Sequence, residues 1–216
     1  MSMDGFFITF EGVEGCGKSL QACILVERLR ADGWDAMLTK EPGGTPVGKH
    51  IRDVLLATHP INIDDRCELM LFLADRAQHV GEIIIPALRE GKIVVCERYA
   101  DSTMAYQHYG LGLPFELVEQ LNEFVTQSVK PDLTIVLDLE PSEGQQRKYA
   151  TSNVLDRIER RPLAFHKRVR YGYLEIARRE PERVIVINAS RTPEEIADEV
   201  WSIVNQALQH HVKNRR

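Results

Sequence analysis

The chain has 216 residues, 44% of them hydrophobic, which is enough for one sizeable core and fits a single α/β domain over residues 1–216. Its formal net charge of -5 does not favour a general nucleic-acid-binding protein, which normally has a basic balance or a basic face. No apolar run approaches the roughly 20 residues that cross a bilayer, and the start MSMDGFF lacks the pattern of a signal peptide. We therefore expect a soluble cytoplasmic protein that binds neither nucleic acid nor membrane.

The cysteines and histidines do not form a metal or disulfide pattern. Cys16, Cys23, Cys67 and Cys96 are scattered, without any C-x-x-C spacing. Structural disulfides are rare in an intracellular context, so we expect neither disulfides nor zinc. The seven histidines are interpreted as ordinary surface or core residues.

Short β-rich runs recur along the chain, and longer segments with helical apolar spacing separate them. This alternation predicts an α/β fold in which a parallel five-stranded sheet is wrapped by helices. Ligands of such a sheet bind beyond the carboxyl ends of the strands. The five runs are FFITF, DAMLTK, IVVCE, LTIVLDL and RVIVIN. The residues that follow the first four of them are 11–12, 41–44, 97–99 and 138–140.

The segment after the first predicted strand fits the phosphate-loop pattern G-x-x-x-x-G-K-[ST], with a strand before it and a helix after it. Its glycines allow successive backbone N–H groups to turn inward around phosphate oxygens. Lys18 is expected to reach the β- and γ-phosphates, and the Ser19 hydroxyl to bind Mg²⁺. The predicted ATP-binding residues are Gly12, Val13, Glu14, Gly15, Cys16, Gly17, Lys18 and Ser19.

This loop predicts a fold of the P-loop nucleoside triphosphate hydrolase type, but it does not by itself define a function. GTPases, transporters, helicases and small-molecule kinases share it. The chain lacks the N-K-x-D signature of guanine recognition, which argues against a GTPase. A glycine-rich turn without a ligand is the other alternative, and the strand and helix around the loop disfavour it.

The helical segment CELMLFLADRAQHVGEII carries a candidate base-binding pair. Phe72 and Arg76 are four residues apart and so lie on one helix face. There a ring can stack on a pyrimidine while a guanidinium forms hydrogen bonds with its edge. Core packing is the alternative for Phe72 taken alone.

The segment ERYADSTMAYQ leaves the third predicted strand at the carboxyl edge of the sheet, where an acceptor group can be held. It offers four polar side chains there, Arg98, Ser102, Tyr106 and Gln107. For Arg98 and the preceding Glu97, the alternative is a surface ion pair of little consequence.

Taken together, several segments resemble bacterial thymidylate kinases in order and spacing, from near the start to about residue 190. They are FEGVEGCGKS, EPGGT, LMLFLADRAQHV, ERYADSTMAYQHYG, KPDLTIVLDLEP and LDRIE. The resemblance implies a homodimeric enzyme that uses ATP and magnesium to convert dTMP to dTDP for dTTP synthesis. Two alternatives stay open: a kinase for another nucleoside or nucleotide, and a non-catalytic nucleotide-binding module.

The resemblance also implies roles for individual residues. Phe72 would stack on thymine and Arg76 would bind its O4. Arg98 would hold the dTMP phosphate, with Arg52 as the second arginine, although a solvated helix arginine is nearly as good an interpretation of Arg52. Glu14 would contact the deoxyribose hydroxyl or a metal-bound water.

Two further expectations from the resemblance concern the metal site and a mobile segment that covers the bound ATP. Family members usually have Asp where this chain has Glu97. By the same resemblance, Ser19 and Glu97 would organise magnesium, Glu97 through water. Because Gly15 and Cys16 are not basic, the chain resembles the subtype that keeps its catalytic cation in a mobile lid, here around residues 144–157.

The lid cation itself has three candidates. Arg147 and Lys148 are adjacent on a predicted helix and so face about 100° apart, and only one of them is expected to point at ATP. Arg157, in LDRIE, is the competitor. We rank Arg147 first and Arg157 second.

Overall fold

The computed structural model describes residues 3–59, 61–151 and 154–213, and all structural statements here refer to them. Five strands form one parallel sheet, in the order β2-β3-β1-β4-β5. This confirms the predicted five-stranded parallel sheet. The strands are β1 (Phe6–Glu11), β2 (Ala36–Lys40), β3 (Ile93–Glu97), β4 (Leu133–Asp138) and β5 (Val184–Asn188).

Helices cover both faces of the sheet, as expected for parallel strands joined by crossovers. They are α1 (Lys18–Ala31), α2 (Pro46–Leu55), α3 (Asp65–His79), α4 (Ile85–Arg89), α5 (Ala100–Thr103), α6 (Phe115–Thr126), α7 (Pro141–Thr151), α8 (Leu163–Arg179) and α9 (Pro193–Lys213). Two π-helical segments, Val80–Ile84 and Met104–Gly110, continue α3 and α5. None of the described helices is long and apolar enough to cross a membrane.

The central strand β1 contributes to the core on both sides. Ile8 and Phe10 pack with residues of α1, α8 and α9 on one face. Phe7 points to the other face and packs with residues of α4 and β3. This alternation follows from the two-residue period of a strand, and it explains why all six residues of β1 are buried.

Two helix starts that shape the site have clear local causes. Gly17 precedes α1 with φ 96°, a left-handed conformation that glycine adopts at little cost, and so turns the chain from the loop into the helix. Thr45 caps α2 by accepting a hydrogen bond from the Gly48 N–H at 2.9 Å, and Pro46 occupies the first helical position. The N-terminal ends of α1 and α2 lie at the carboxyl edge of the sheet.

Candidate active site

A cleft of about 590 Å³ opens at the carboxyl edge of the sheet. The phosphate loop forms one wall, and α2 and α3 form the second. The second half of α7 forms the third, together with Asp156, Ile158 and Glu159. Most of the residues singled out from the sequence line this cleft: Glu14, Gly15, Gly17, Lys18, Ser19, Arg52, Phe72, Arg76, Glu97, Arg98, Ser102, Tyr106, Gln107 and Arg147. Four predicted residues are not among those that line it: Gly12, Val13, Cys16 and Arg157.

The phosphate loop has the backbone that its sequence predicts. Gly12, Gly15 and Gly17 have φ values of 136°, 74° and 96°, which side chains with a Cβ rarely adopt. The ammonium group of Lys18 donates to the carbonyl oxygens of Gly12 (3.1 Å) and Val13 (2.8 Å). Val13 itself is buried in the core beneath the loop, as is Cys16.

A serine and a carboxylate meet next to the loop. The Ser19 hydroxyl donates to Oε2 of Glu97 at 2.7 Å. Burial alone would raise the pKa of the Glu97 carboxyl, but the charge of Lys18 and the bond from Ser19 outweigh burial and lower that pKa. The pair therefore presents an ionised carboxylate and a hydroxyl oxygen to the cleft.

Arg98 follows β3 and joins three parts of the chain. Its backbone is left-handed, with φ 68°. Its Nη1 donates to the carbonyl oxygen of Gly12 at 3.2 Å, to the hydroxyl of Ser102 at 3.2 Å and to that of Tyr173 at 3.1 Å. Its Nη2 donates to Oε1 of Glu14 at 3.1 Å. The guanidinium thus holds the loop against the segment that follows β3.

Glu14 is the anion at the centre of the site. Its Oε1 also accepts a short hydrogen bond from the hydroxyl of Tyr106, and Nδ1 of His166 lies 3.2 Å from its Oε2. Burial would raise the pKa of the Glu14 carboxyl, but His166 and the charges of Arg98 and Lys18 outweigh burial and hold it well below its usual range. Glu14 is therefore ionised.

Glu11, at the end of β1, is a fully buried carboxylate that sequence reasoning did not single out. Its Oε1 accepts from the backbone N–H of Tyr99 at 2.7 Å. Its Oε2 accepts from the hydroxyls of Ser102 (2.6 Å) and Tyr173 (3.0 Å). Burial, with the nearby charge of Asp101, raises the pKa of the Glu11 carboxyl to about 7. The only sequence signal was a charged residue within an otherwise apolar strand.

The buried guanidinium of Arg76 is held in place by hydrogen bonds with the groups around it. Its Nε donates to Oε2 of Glu41 at 2.8 Å, and its Nη2 donates to the carbonyl oxygen of Tyr99 at 2.8 Å. Its Nη1 donates to Thr103 at 2.6 Å and to Asn122 at 2.8 Å. These bonds use four of the five N–H donors of a guanidinium, so one donor on Nη2 is left for a ligand.

Two other predicted acceptor residues also lie on the α2 and α3 wall. Phe72 is half-buried and lines the cleft one helical turn before Arg76, so its ring is accessible to a ligand. Arg52 is half-buried as well, and its Nη1 donates to the carbonyl oxygen of Pro42 at 2.8 Å. Arg52 thus has a fixed position rather than that of a fully solvated helix arginine.

Arg147 and Lys148, two of the three lid candidates, both line the cleft. Arg147 donates to Glu143 at 2.7 Å and to the carbonyl oxygen of Ala189 at 3.0 Å. The ammonium group of Lys148 lies 2.8 Å from Oε1 of Glu159. The expectation that only one of the two cations points at ATP stays a prediction.

Arg157, the third lid candidate, does not line the cleft. Its Nη2 is 2.6 Å from Oε2 of Glu68 on α3, and its Nε donates to the carbonyl oxygen of Leu55 at 3.1 Å. As placed, its guanidinium pairs with α3 and the end of α2. Within the predicted lid, residues 152 and 153 are outside the described part of the chain.

A close backbone contact joins the loop to α7. A Cβ added to Gly144 would lie 2.2 Å from the carbonyl oxygen of Glu14, and one added to Gly15 would lie 2.2 Å from the carbonyl oxygen of Gly144. Both positions therefore require glycine. The loop pattern accounts for Gly15, but its partner on α7 has no signal in the sequence.

The fold and the site define a class of protein: a P-loop enzyme whose phosphate loop shares one cleft with several arginines and an aromatic ring. The model of the thymidylate kinase family matches residues 10–200. The chain belongs to that family. This confirms the resemblance seen in the sequence and the predicted P-loop fold.

Individual relatives agree with the family match. The chain is 46% identical over 202 residues to a thymidylate kinase of a Synechococcus strain, with 94% of this chain and 95% of the relative covered. It is 48% identical over 209 residues to that of Halothermothrix orenii, with 95% and 99% covered. The crystal structure of thymidylate kinase from Ehrlichia chaffeensis superposes with a TM-score of 0.76 at 35% identity, covering 93% of this chain and 98% of that one.

The Gly15 and Gly144 contact predicts the effect of one methyl group. Alanine is normally better than glycine inside a helix by about 1 kcal/mol. At Gly144 the added Cβ would instead overlap the Glu14 carbonyl oxygen, so Gly144→Ala should lower the free energy of unfolding by about 1–3 kcal/mol. Chemical denaturation would measure this difference.

Gly81 provides the matched control, because a Cβ there meets nothing within 4 Å and its backbone is helical. Gly81→Ala should leave the free energy of unfolding unchanged or slightly higher. Equal stability of the two variants would contradict the close packing of α7 on the loop.

Proposed function

We propose that this enzyme transfers the γ-phosphoryl group of ATP to dTMP and releases dTDP and ADP. The observation that carries the proposal is one cleft, lined both by a phosphate loop and by arginines with an aromatic ring, in a chain of the thymidylate kinase family. Phe72, Arg76 and Arg98 line this cleft together with the loop. A site of that kind supports transfer between two bound nucleotides.

The donor phosphates belong on the loop. Its inward N–H groups, the positive end of α1 and the ammonium group of Lys18 all favour an anion there. Lys18 now donates to two carbonyl oxygens of the loop, Gly12 and Val13, and can exchange them for phosphate oxygens. The exchange would gain charge-assisted bonds at small cost, because carbonyl oxygens are weaker partners for an ammonium group than phosphates are.

Magnesium fits the Ser19 and Glu97 pair. A hydroxyl oxygen and an ionised carboxylate, 2.7 Å apart, are hard ligands of the type that Mg²⁺ prefers. In the described part of the chain, no group of three or more His, Cys, Asp or Glu could hold a metal, so the protein supplies few ligands. Mg²⁺ usually completes its shell with phosphate oxygens and water, and when bound it would neutralise charge on the donor phosphates.

The acceptor belongs on the α2 and α3 wall. The ring of Phe72 can stack on the base, and the remaining N–H of Arg76 can donate to an oxygen on the base edge. Arg98 and Arg52 can bind the acceptor phosphate. Glu14 lines the cleft, and its carboxylate can accept from the sugar hydroxyl or a metal-bound water.

The remaining acceptor residues position these groups. Ser102 and Tyr106 bind the carboxylates of Glu11 and Glu14, and so fix the surroundings of Arg98. The acceptor phosphate is already ionised at neutral pH, so the transfer needs no strong general base. Catalysis then rests on alignment of the two nucleotides and on cations around the transferring group.

We further propose a single kinase domain over residues 1–216, with a lid around 144–157. Arg147 and Lys148 bring positive charge to the cleft from α7, and Arg147 stays first as the lid cation. Closure of this segment would exclude water that could otherwise hydrolyse ATP. An enzyme that consumes ATP and dTMP belongs in the cytoplasm, where both are made and used.

A homodimer is supported by apolar side chains on two packed helices. Met70 on α3 is 50% exposed, and Leu117 and Phe124 on α6 are 44% and 80% exposed. Exposed apolar groups this large on neighbouring helices are typical of a protein interface. We propose that α3 and α6 contact the same helices of a second copy, as a two-fold interface requires.

The activity can be tested by coupled measurement of ADP release with dTMP, dUMP, CMP, UMP, AMP and thymidine as acceptors. The proposal predicts ADP release that depends on dTMP and a kcat/KM for dTMP above that for each other acceptor. Lys18→Ala should abolish transfer while the circular dichroism spectrum stays unchanged, because Lys18 contacts the loop and not the core.

Other outcomes of the same assay point to the alternatives. Faster turnover of a different acceptor would indicate another nucleoside or nucleotide kinase. Binding of ATP without transfer to any acceptor would indicate a non-catalytic nucleotide-binding module. Wild-type turnover of dTMP by Lys18→Ala would contradict the role of the loop.

The dimer is tested by Phe124→Glu, which places a charge at the centre of the proposed interface. Sedimentation equilibrium should give the mass of two chains for the wild type and of one chain for the variant. A monomeric wild type, or a variant that stays dimeric, would show that α6 is not the interface.

A further inference from the structure

Glu68, on α3 one turn before Phe72, is a buried carboxylate without a role in the proposed transfer. Its side chain is 0% exposed. Its Oε1 accepts from Nε2 of Gln107 at 3.0 Å. Its Oε2 lies 2.6 Å from Nη2 of Arg157 and 2.7 Å from Nη2 of Arg161. A charge so far from water is tolerated only because two guanidinium groups and an amide meet it.

Both arginines belong to a short turn, residues 156–161, which we call the arm. It overlaps the end of the proposed lid and leads to α8. The arm lies against the C-terminal end of α2 and the N-terminal end of α3. Arg157 donates to the carbonyl oxygen of Leu55 at 3.1 Å, and Arg160 forms a short hydrogen bond with the carbonyl oxygen of Thr58. The carboxylate of Glu68 therefore makes the shortest charged contacts that dock the arm, while Arg161 lies 4.0 Å from Oδ1 of Asp65 as well.

The arm in turn holds the lid helix. The carboxylate of Glu159, which is 11% exposed, lies 2.8 Å from the ammonium group of Lys148 on α7. Oδ1 of Asp156 accepts from the backbone N–H groups of Ile158 at 2.8 Å and Glu159 at 2.9 Å, which keeps the turn compact. A docked arm thus fixes a cation of the lid at the edge of the cleft.

The other oxygen of Glu68 connects to the acceptor wall. Gln107 lines the cleft and is 1% exposed. The residue before it, Tyr106, bonds to Glu14, and Phe72 follows Glu68 by one turn of α3. One carboxylate therefore contacts both the arm and the wall on which dTMP is proposed to bind.

We propose that Glu68 is a positioning residue that couples occupation of the acceptor pocket to docking of the arm. The inference rests on the proposed function. A bound acceptor would fix Gln107 and α3, and with them the carboxylate. An undocked arm would then leave a buried anion with only an amide partner, which is costly, so a bound acceptor favours the docked arm. By linkage, the docked arm favours the bound acceptor to the same extent.

Hydrogen exchange followed by mass spectrometry tests this coupling directly, with dTMP added alone to the full-length protein. In the wild type, saturating dTMP should slow amide exchange in residues 156–161 by at least about fivefold, although no donor nucleotide is present. In Glu68→Gln and in Arg161→Met, the same addition should slow exchange there by less than about twofold.

A second arginine of the arm supplies the matched control. Arg160 is exposed, and its guanidinium donates to the Thr58 carbonyl oxygen rather than to Glu68. Arg160→Met should therefore keep the dTMP effect of the wild type. Arg161→Met also keeps the experiment decisive if Glu68→Gln fails to fold, because Arg161 is partly exposed and its removal leaves Glu68 paired with Arg157.

Kinetics give an independent readout that a merely structural role would not move. Glu68→Gln and Arg161→Met should each lower kcat by about fivefold to tenfold, while KM for ATP changes by less than about twofold. The double variant should be no slower than Glu68→Gln alone, because the two residues act through one contact.

Three results would overturn the inference in distinguishable ways. A wild-type chain that does not phosphorylate dTMP would overturn both the proposed function and the coupling. A wild-type enzyme that phosphorylates dTMP, but whose arm exchanges at the same rate with and without dTMP, would overturn the coupling alone. So would a dTMP effect on the arm in Glu68→Gln and Arg161→Met as large as in the wild type.

Discussion

The guanidinium of Arg98 is the interaction on which the rest of the site depends. It is a cation between the phosphate loop, the segment after β3 and α8, and its four hydrogen bonds go to groups in all three. Its backbone is left-handed, which costs of order 1 kcal/mol for a residue with a side chain. That conformation aims the guanidinium under the loop, where the Glu14 carboxylate compensates its charge. These bonds therefore join the loop to the segment after β3 and to α8.

The same principle recurs at the other buried carboxylates. Glu41 accepts from Arg76 at 2.8 Å and from His79 at 2.9 Å, and Glu68 is paired with two arginines. Breaking one partner of such a pair costs about 3–5 kcal/mol because the other charge is left buried. Rigid polar groups of this kind suit phosphoryl transfer, where the protein contributes mainly fixed charge and alignment rather than covalent chemistry.

Local sequence patterns predicted the parts of the site that are local. The phosphate loop, the sheet and the shared helix face of Phe72 and Arg76 follow from motif and periodicity, and the structure places these residues in one cleft. Contacts between distant segments could not be predicted in this way. Glu11 meets Tyr173 across 162 positions of the chain, a pairing that only the folded sheet and α8 create.

The lid shows the same limit. Arg157 was ranked as a lid cation because its motif matches the family, yet spacing does not reveal that Glu68 on α3 lies within 2.6 Å of it. Gly144 carried no signal either, because its partner is the phosphate loop, which is distant from it in the sequence. Where a charged residue points depends on which opposite charge the fold brings near it, and this is a property of the tertiary structure.

The most direct test of this account is the kinetics of Arg98→Lys, which keeps the positive charge and removes the planar fork. If the guanidinium joins the loop to the segment after β3 and to α8 through its geometry, kcat/KM for dTMP should fall by at least about tenfold, equivalent to about 1.4 kcal/mol of transition-state stabilisation. Circular dichroism should show the fold retained. A lysine variant with the wild-type kcat/KM would contradict the account, since charge alone would then suffice at that position.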